Sequence, residues 1–133
     1  MTDVDREAGL VGKMIIVWLL VLAVLAVGAI DAASIAFTTY RLSDAGAAAA
    51  SEGALVFDRT GDLRGACERV TRVLSKEDPS ASLTRGGCRI ERPTGLVTVS
   101  IRERANTLVA HRIPWTEEFA VVVVRETAGA PSL

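Results

Sequence analysis

Three hydrophobic patterns follow one another along the chain. From Met14 to Ile30, seventeen consecutive residues carry no charge, so a helix there is apolar on every side. From Leu63 to Leu74 the apolar residues Leu63, Ala66, Cys67, Val70, Val73 and Leu74 recur at spacings of three and four, the period of an amphipathic helix. From Ser80 the period changes to two: Val97, Val99 and Ile101 alternate with Thr98, Ser100 and Arg102. The pattern predicts an α+β fold, with a long N-terminal helix, a second short helix and a small antiparallel sheet of three or four strands.

The uncharged run reaches roughly 25 Å, and its continuation through Ala32, Ala33, Ile35, Ala36 and Phe37 exceeds roughly 30 Å, enough to span a bilayer's hydrocarbon core. A soluble core helix is disfavoured, because the roughly 90 residues left for a folded body can hardly surround a helix apolar on all sides. A cleaved secretory signal is the stronger competitor, with Arg6 and Lys13 as a basic front and Ala26-Val27-Gly28 or Ala32-Ala33-Ser34 as small-residue cleavage sites. The run is longer than the usual signal core and leads into continuing helix, which favours an uncleaved signal-anchor.

Ala32 to Phe57 lacks proline and contains Ala47-Ala48-Ala49-Ala50, so one helix is expected from about Gly12 to Phe57. Asp58-Arg59-Thr60-Gly61 ends it, Asp62 caps the second helix, and Glu77-Asp78-Pro79 stops that one. Gly86-Gly87 is expected in a tight turn before a short strand at Cys88 and Ile90. Pro93-Thr94-Gly95 reads as a second turn, Pro114-Trp115 as a corner, and Phe119 to Val124 as a β-branched strand. Trp115 is expected to pack in the core or at its rim.

These elements divide the chain into a flexible cytoplasmic tail (1–13), a transmembrane helix (14–37), its extramembrane continuation (38–58), an extracytoplasmic α+β head (59–127) and a flexible end (128–133). Lys13 and Arg6 precede the span, whereas Arg41 alone follows closely, a bias that predicts a single-pass cell-membrane protein with its N-terminus on the cytoplasmic side. Thirteen of the fifteen Lys and Arg and twelve of the sixteen Asp and Glu lie from Arg41 onward. So balanced a head does not select a polyanion, and nucleic acid is not an expected partner.

The two cysteines, Cys67 and Cys88, both fall in the head, and an oxidising compartment favours a bridge between them worth about 3 kcal/mol. Two buried thiols are the alternative. A metal site is disfavoured, since two sulfurs and the single His111 make too few ligands. No phosphate-binding glycine loop, nucleophile elbow, histidine pair or CxxC motif occurs, and the adjacent carboxylates Glu77-Asp78 and Glu117-Glu118 diverge on any regular element. No catalytic residue, cofactor or small-molecule substrate is therefore expected.

Two features bear on partners. Gly28 and Ala32, like Ala29 and Ala33, stand four apart, the spacing that lets membrane helices approach closely, and Ala47 and Ala48 extend the small surface outside the span. Asp31 sits at the edge of the span, expected at the headgroup level; deeper placement calls for a partner from a neighbouring helix, most simply another subunit.

With these elements placed, the run Arg41-Leu42-Ser43-Asp44-Ala45-Gly46-Ala47-Ala48-Ala49-Ala50-Ser51-Glu52-Gly53-Ala54 resembles the post-membrane segment of TadE/TadG-like proteins, the pseudopilins of tight-adherence pilus systems. Val97-Thr98-Val99-Ser100-Ile101 and Thr107-Leu108-Val109 before Ile113-Pro114 look similar too. Pilin-type precursors carry a processing-site glycine with glutamate five residues beyond; here Gly9 could supply the glycine, but Met14 occupies the second position, and Val17 does so after Gly12. The resemblance implies a non-enzymatic minor pilin or assembly factor whose long helix associates with other membrane or pilus-assembly proteins. The alternative is a membrane-tethered module whose head binds an envelope protein or polymer.

Overall fold

The computed structural model describes residues 3–131, with side chains from Gly9 onward. Two helices lead into three strands: α1 (Asp3–Thr60), α2 (Leu63–Glu77), β1 (Ser82–Glu91), β2 (Leu96–Arg104) and β3 (Val121–Ala128), with a short 3₁₀ turn at Glu117–Ala120 before the last. The expected α+β class holds, and the sheet has three strands in the order β1-β2-β3, antiparallel throughout.

α1 is 58 residues long, about 87 Å at 1.5 Å per residue. It begins before the expected Gly12: the segment 1–13 was expected to be a flexible tail, yet it is helical from Asp3 onward, and residues 1 and 2 lie outside the described residues. Once a long helix exists, adding a turn carries no nucleation cost, and Glu7 and Ala8 favour propagation. At the other end Gly61 takes φ 65° and its N–H reaches Phe57 O at 2.8 Å, the left-handed cap that suits glycine. Asp62 then accepts the N–H groups of Arg64 and Gly65 at 3.0 and 3.1 Å and starts α2.

Within β1 the register slips between Leu83 and Cys88, because extra residues bulge out against β2. Gly86-Gly87 belongs to this bulge and not to a turn preceding the strand. Gly86 has φ 67°, and a Cβ on Gly87 would stand 2.5 Å from Ser100 O. The turn at Pro93-Thr94-Gly95 forms as expected, with Gly95 N–H on Glu91 O at 2.7 Å. The β-branched stretch begins two residues later than expected, after the 3₁₀ turn has consumed Phe119 and Ala120. β3 ends at Ala128, and residues 132 and 133 of the expected flexible end lie outside the described residues.

One face of the sheet packs on both helices. Val97, Val99 and Ile101 of β2 and Val122 of β3 meet Leu42, Ala45, Ala49 and Ala50 of α1 and Val70 and Leu74 of α2. The small α1 residues let the helix lie close to the sheet. A Cβ on Gly46 would meet Ile101 Cδ1 at 3.0 Å, and one on Gly53 would meet Val70 Cγ2 at 2.5 Å. Cys67 and Cys88 form a disulfide, Cα atoms 5.9 Å apart, that fastens α2 to β1.

The closeness at Gly53 has a measurable consequence. Gly53→Val should overpack the α1–α2 crossing and lower head stability by about 1–3 kcal/mol in thermal or denaturant unfolding. An unchanged midpoint would mean that the crossing is looser than these contacts.

Candidate functional site

α1 changes its surroundings along its length. Its Gly9–Thr60 portion is long and apolar enough to cross a membrane: its most apolar window has a mean hydropathy of 2.7, and none of that window is buried by the rest of the chain. Met14, Ile15, Ile16, Val17, Trp18 and Leu19 are all exposed. Past Ile30 the head begins to cover one side, and by Leu42 that side is fully buried.

Asp31 marks the change. Its carboxylate is buried and accepts three backbone N–H groups from the β2–β3 loop: Leu108 at 2.6 Å, Val109 at 3.1 Å and Ala110 at 3.0 Å. Three successive amides converging on one anion make a charge-assisted clasp. One turn on, Ser34 Oγ donates to Asn106 O at 2.7 Å. The partner that a buried carboxylate needs is supplied here by the chain's own loop, across 77 residues of sequence. The spacing of residues could not reveal this, because the donors are main-chain groups and carry no signature in side-chain identity.

The other association residues remain open to solvent. Gly28, Ala32, Ala47 and Ala48 are exposed, and a Cβ on Gly28 would meet nothing within 4 Å. They do not share a face, however: at 100° per residue Gly28 and Ala48 are turned roughly 160° apart. Ala29, Ala33, Ala36, Tyr40, Ala47 and Ser51 do fall within an arc of roughly 60°, and all are exposed. This stripe lies opposite the buried side carrying Leu42, Ala45 and Ala49. The alanine-rich run therefore serves two surfaces, one built into the head's core and one left free. Gly9, the possible processing residue, lies within α1 with open space around it.

A second polar group went unread in the sequence. Glu103 continues the inward alternation of β2 and is buried, as is Asp78 at the end of α2. Arg41 of α1 bridges them, its Nη2 paired with Glu103 Oε1 and its Nε 3.1 Å from Asp78 Oδ2. Burial pushes the Glu103 carboxyl above the usual carboxylate range, the hydrogen bond and negative charge of Asp78 push it the same way, and Arg41 opposes them. Asp78 Oδ2 is met by the Arg41 guanidinium as an ion pair without an aligned hydrogen bond, and Glu103 Oε2 has no hydrogen-bond partner among the described residues. The strict alternation Val97, Val99, Ile101, Glu103 was the available signal.

Among the described residues no group of three or more His, Cys, Asp or Glu could hold a metal ion. His111 Nδ1 lies 3.4 Å from Thr107 Oγ1, a local contact inside the loop. Glu117 pairs with Arg104 at 3.1 Å on the surface. The surface groove beside Cys67 is lined by Arg64, Glu68, Thr71, Arg72 and Ser75 of α2 alone. An α+β head carried on one long apolar helix is therefore the class that the fold defines. No family model matches the chain, and neither a characterised protein nor a solved structure matches it.

Glu103 makes the head's stability depend on pH. Because its folded-state carboxyl binds a proton more tightly than in the unfolded chain, its contribution is fully present below the unfolded value and is lost as pH rises through the folded one. Glu103→Gln should remove that loss, so the variant's unfolding midpoint should gain on the parent's as pH rises from about 4 to about 7. Parallel midpoints across that range would show that Glu103 ionises freely.

Proposed function

We propose that this protein is a non-enzymatic, membrane-anchored structural or assembly component that works by association through α1. The observation that carries this reading is the division of α1 into two sides. One is consumed by the head; the other, with Ala29, Ala33, Ala36, Tyr40, Ala47 and Ser51, runs uncovered from the apolar segment to the level of the core. The alanine and serine positions of this stripe let a second helix approach closely within and just beyond a bilayer, on either side of the exposed Tyr40. The expected signal-anchor orientation places the head on the extracytoplasmic side. The resemblance of the Arg41 to Ala54 run to TadE/TadG-like proteins supports a pilus or secretion apparatus as the assembly, with a minor pseudopilin-like role.

The stripe makes the test sharper than the spacing of Gly28 and Ala32 allowed. Leucine at Ala33, Ala36 or Ala47 should reduce crosslinking between helices in native membranes several-fold, while head unfolding stays unchanged because these positions are exposed. Leucine at Ala48, off the stripe, should do less. Unchanged crosslinking in all of them would favour the tethered binding module. That reading draws support from the open outer face of the sheet, where exposed Arg89 and Arg125 stand with Thr98 and Thr127.

A further inference from the structure

The loop between β2 and β3 exposes more apolar surface than any other part of the head. Leu108 is 53% exposed, Trp115 76% and Phe119 67%, with Val109 beside them. Nothing in the head's core requires these residues to face outward. Trp115 was expected in the core or at its rim; it stands free instead.

The position of the loop along α1 explains the exposure. Leu108, Val109 and Ala110 are hydrogen-bonded to Asp31, the residue that ends the uncharged run. Thr116 Oγ1 donates to Ala110 O at 2.9 Å, which ties the Trp115 corner to the same level, and Phe119 N–H reaches Thr116 O at 3.1 Å. The exposed apolar residues of the loop therefore continue the exposed apolar cylinder of α1. The uncharged run reaches roughly 25 Å against a hydrocarbon core of about 30 Å, and the head already covers one side of α1 at Asp31 and Thr38, so a bilayer crossed by α1 ends close to the turn that holds Asp31, short of the expected Phe37.

We infer that the 105–120 loop is a second membrane-contacting element: it lies in the interface of the bilayer that α1 crosses and seats the head against it. This inference rests on the membrane-anchor reading. Tryptophan is suited to that depth, with its ring among upper acyl chains and its indole N–H toward the headgroups. Burial of Leu108, Val109, Trp115 and Phe119 in the interface removes apolar surface from water, as it does for interfacial segments generally. The loop's charges do not select anionic lipid, because Arg112 is offset by Glu117 and Glu118. A zwitterionic surface suffices. The clasp on Asp31 then has a clear purpose, since it fixes the loop at the depth where its apolar side chains find lipid.

The chain contains two tryptophans, Trp18 in the apolar run and Trp115 in the loop, so each can be observed alone. The full chain with Trp18→Phe is reconstituted into phosphatidylcholine vesicles carrying nitroxide lipids labelled either near the headgroup or near the chain end. Trp115 emission should be blue-shifted, quenched more strongly by the shallow nitroxide than by the deep one, and protected from aqueous iodide. Emission quenched by iodide and untouched by both nitroxides would overturn the inference. Protection from iodide without nitroxide quenching would overturn it as well, since protein and not lipid would then cover the loop. The companion variant Trp115→Phe reports on Trp18. Nitroxide quenching of Trp18 alone confines the failure to the loop, whereas no quenching of either tryptophan removes the membrane anchor too.

Discussion

The architecture depends on one helix serving two environments. α1 must present an unbroken apolar cylinder from Met14 to Ile30 and must supply one wall of a compact core from Leu42 to Ala54, without a break between them. No proline or left-handed residue interrupts it before Gly61. The backbone ladder is continuous, so head and apolar segment share one helix axis, and the side-chain chemistry alone changes along it.

That change occurs in three stages. Bare apolar residues through Ile30 are followed by a polar stage, in which Asp31, Thr38 and Arg41 engage or lie beneath the head, and then by an alanine stage that packs the sheet. The polar stage is where buried charge concentrates: Asp31 holds the β2–β3 loop, and Arg41 joins the end of α2 to the end of β2 through Asp78 and Glu103. Buried charges of this kind add little net stability compared with apolar packing, but removing one member strands the others. Their effect is to fix where the head sits along the helix.

Much of the fold was legible because it rests on periodicity. Seventeen uncharged residues, the three-four spacing of Leu63 to Leu74 and the alternation of Val97, Val99 and Ile101 each specify an element without reference to anything distant. The cysteine pair was legible by count. What escaped depends on contacts between distant segments. The donors to Asp31 are backbone amides of residues 108–110, and Glu103 is buried because Asp78 and Arg41 arrive from two other elements. Ala47 and Ala48, expected to form an association surface, are free, but their neighbours Ala45, Ala49 and Ala50 line the head's own core, a second use of the run that the sequence did not reveal. Small residues permit close approach to a sheet as readily as to a second helix, and composition alone does not distinguish the two.

The central claim is that apolar segment and head form one rigid body along α1, held at the polar stage by Asp31. Its most direct test is the distance distribution between a genetically encoded spin label at the exposed Ala23 and one at the exposed Arg72, in the full chain reconstituted in lipid bilayers. A single narrow distribution is the predicted result. A broad or multimodal one would contradict the account, because it would mean that α1 bends or unwinds between the apolar segment and the head.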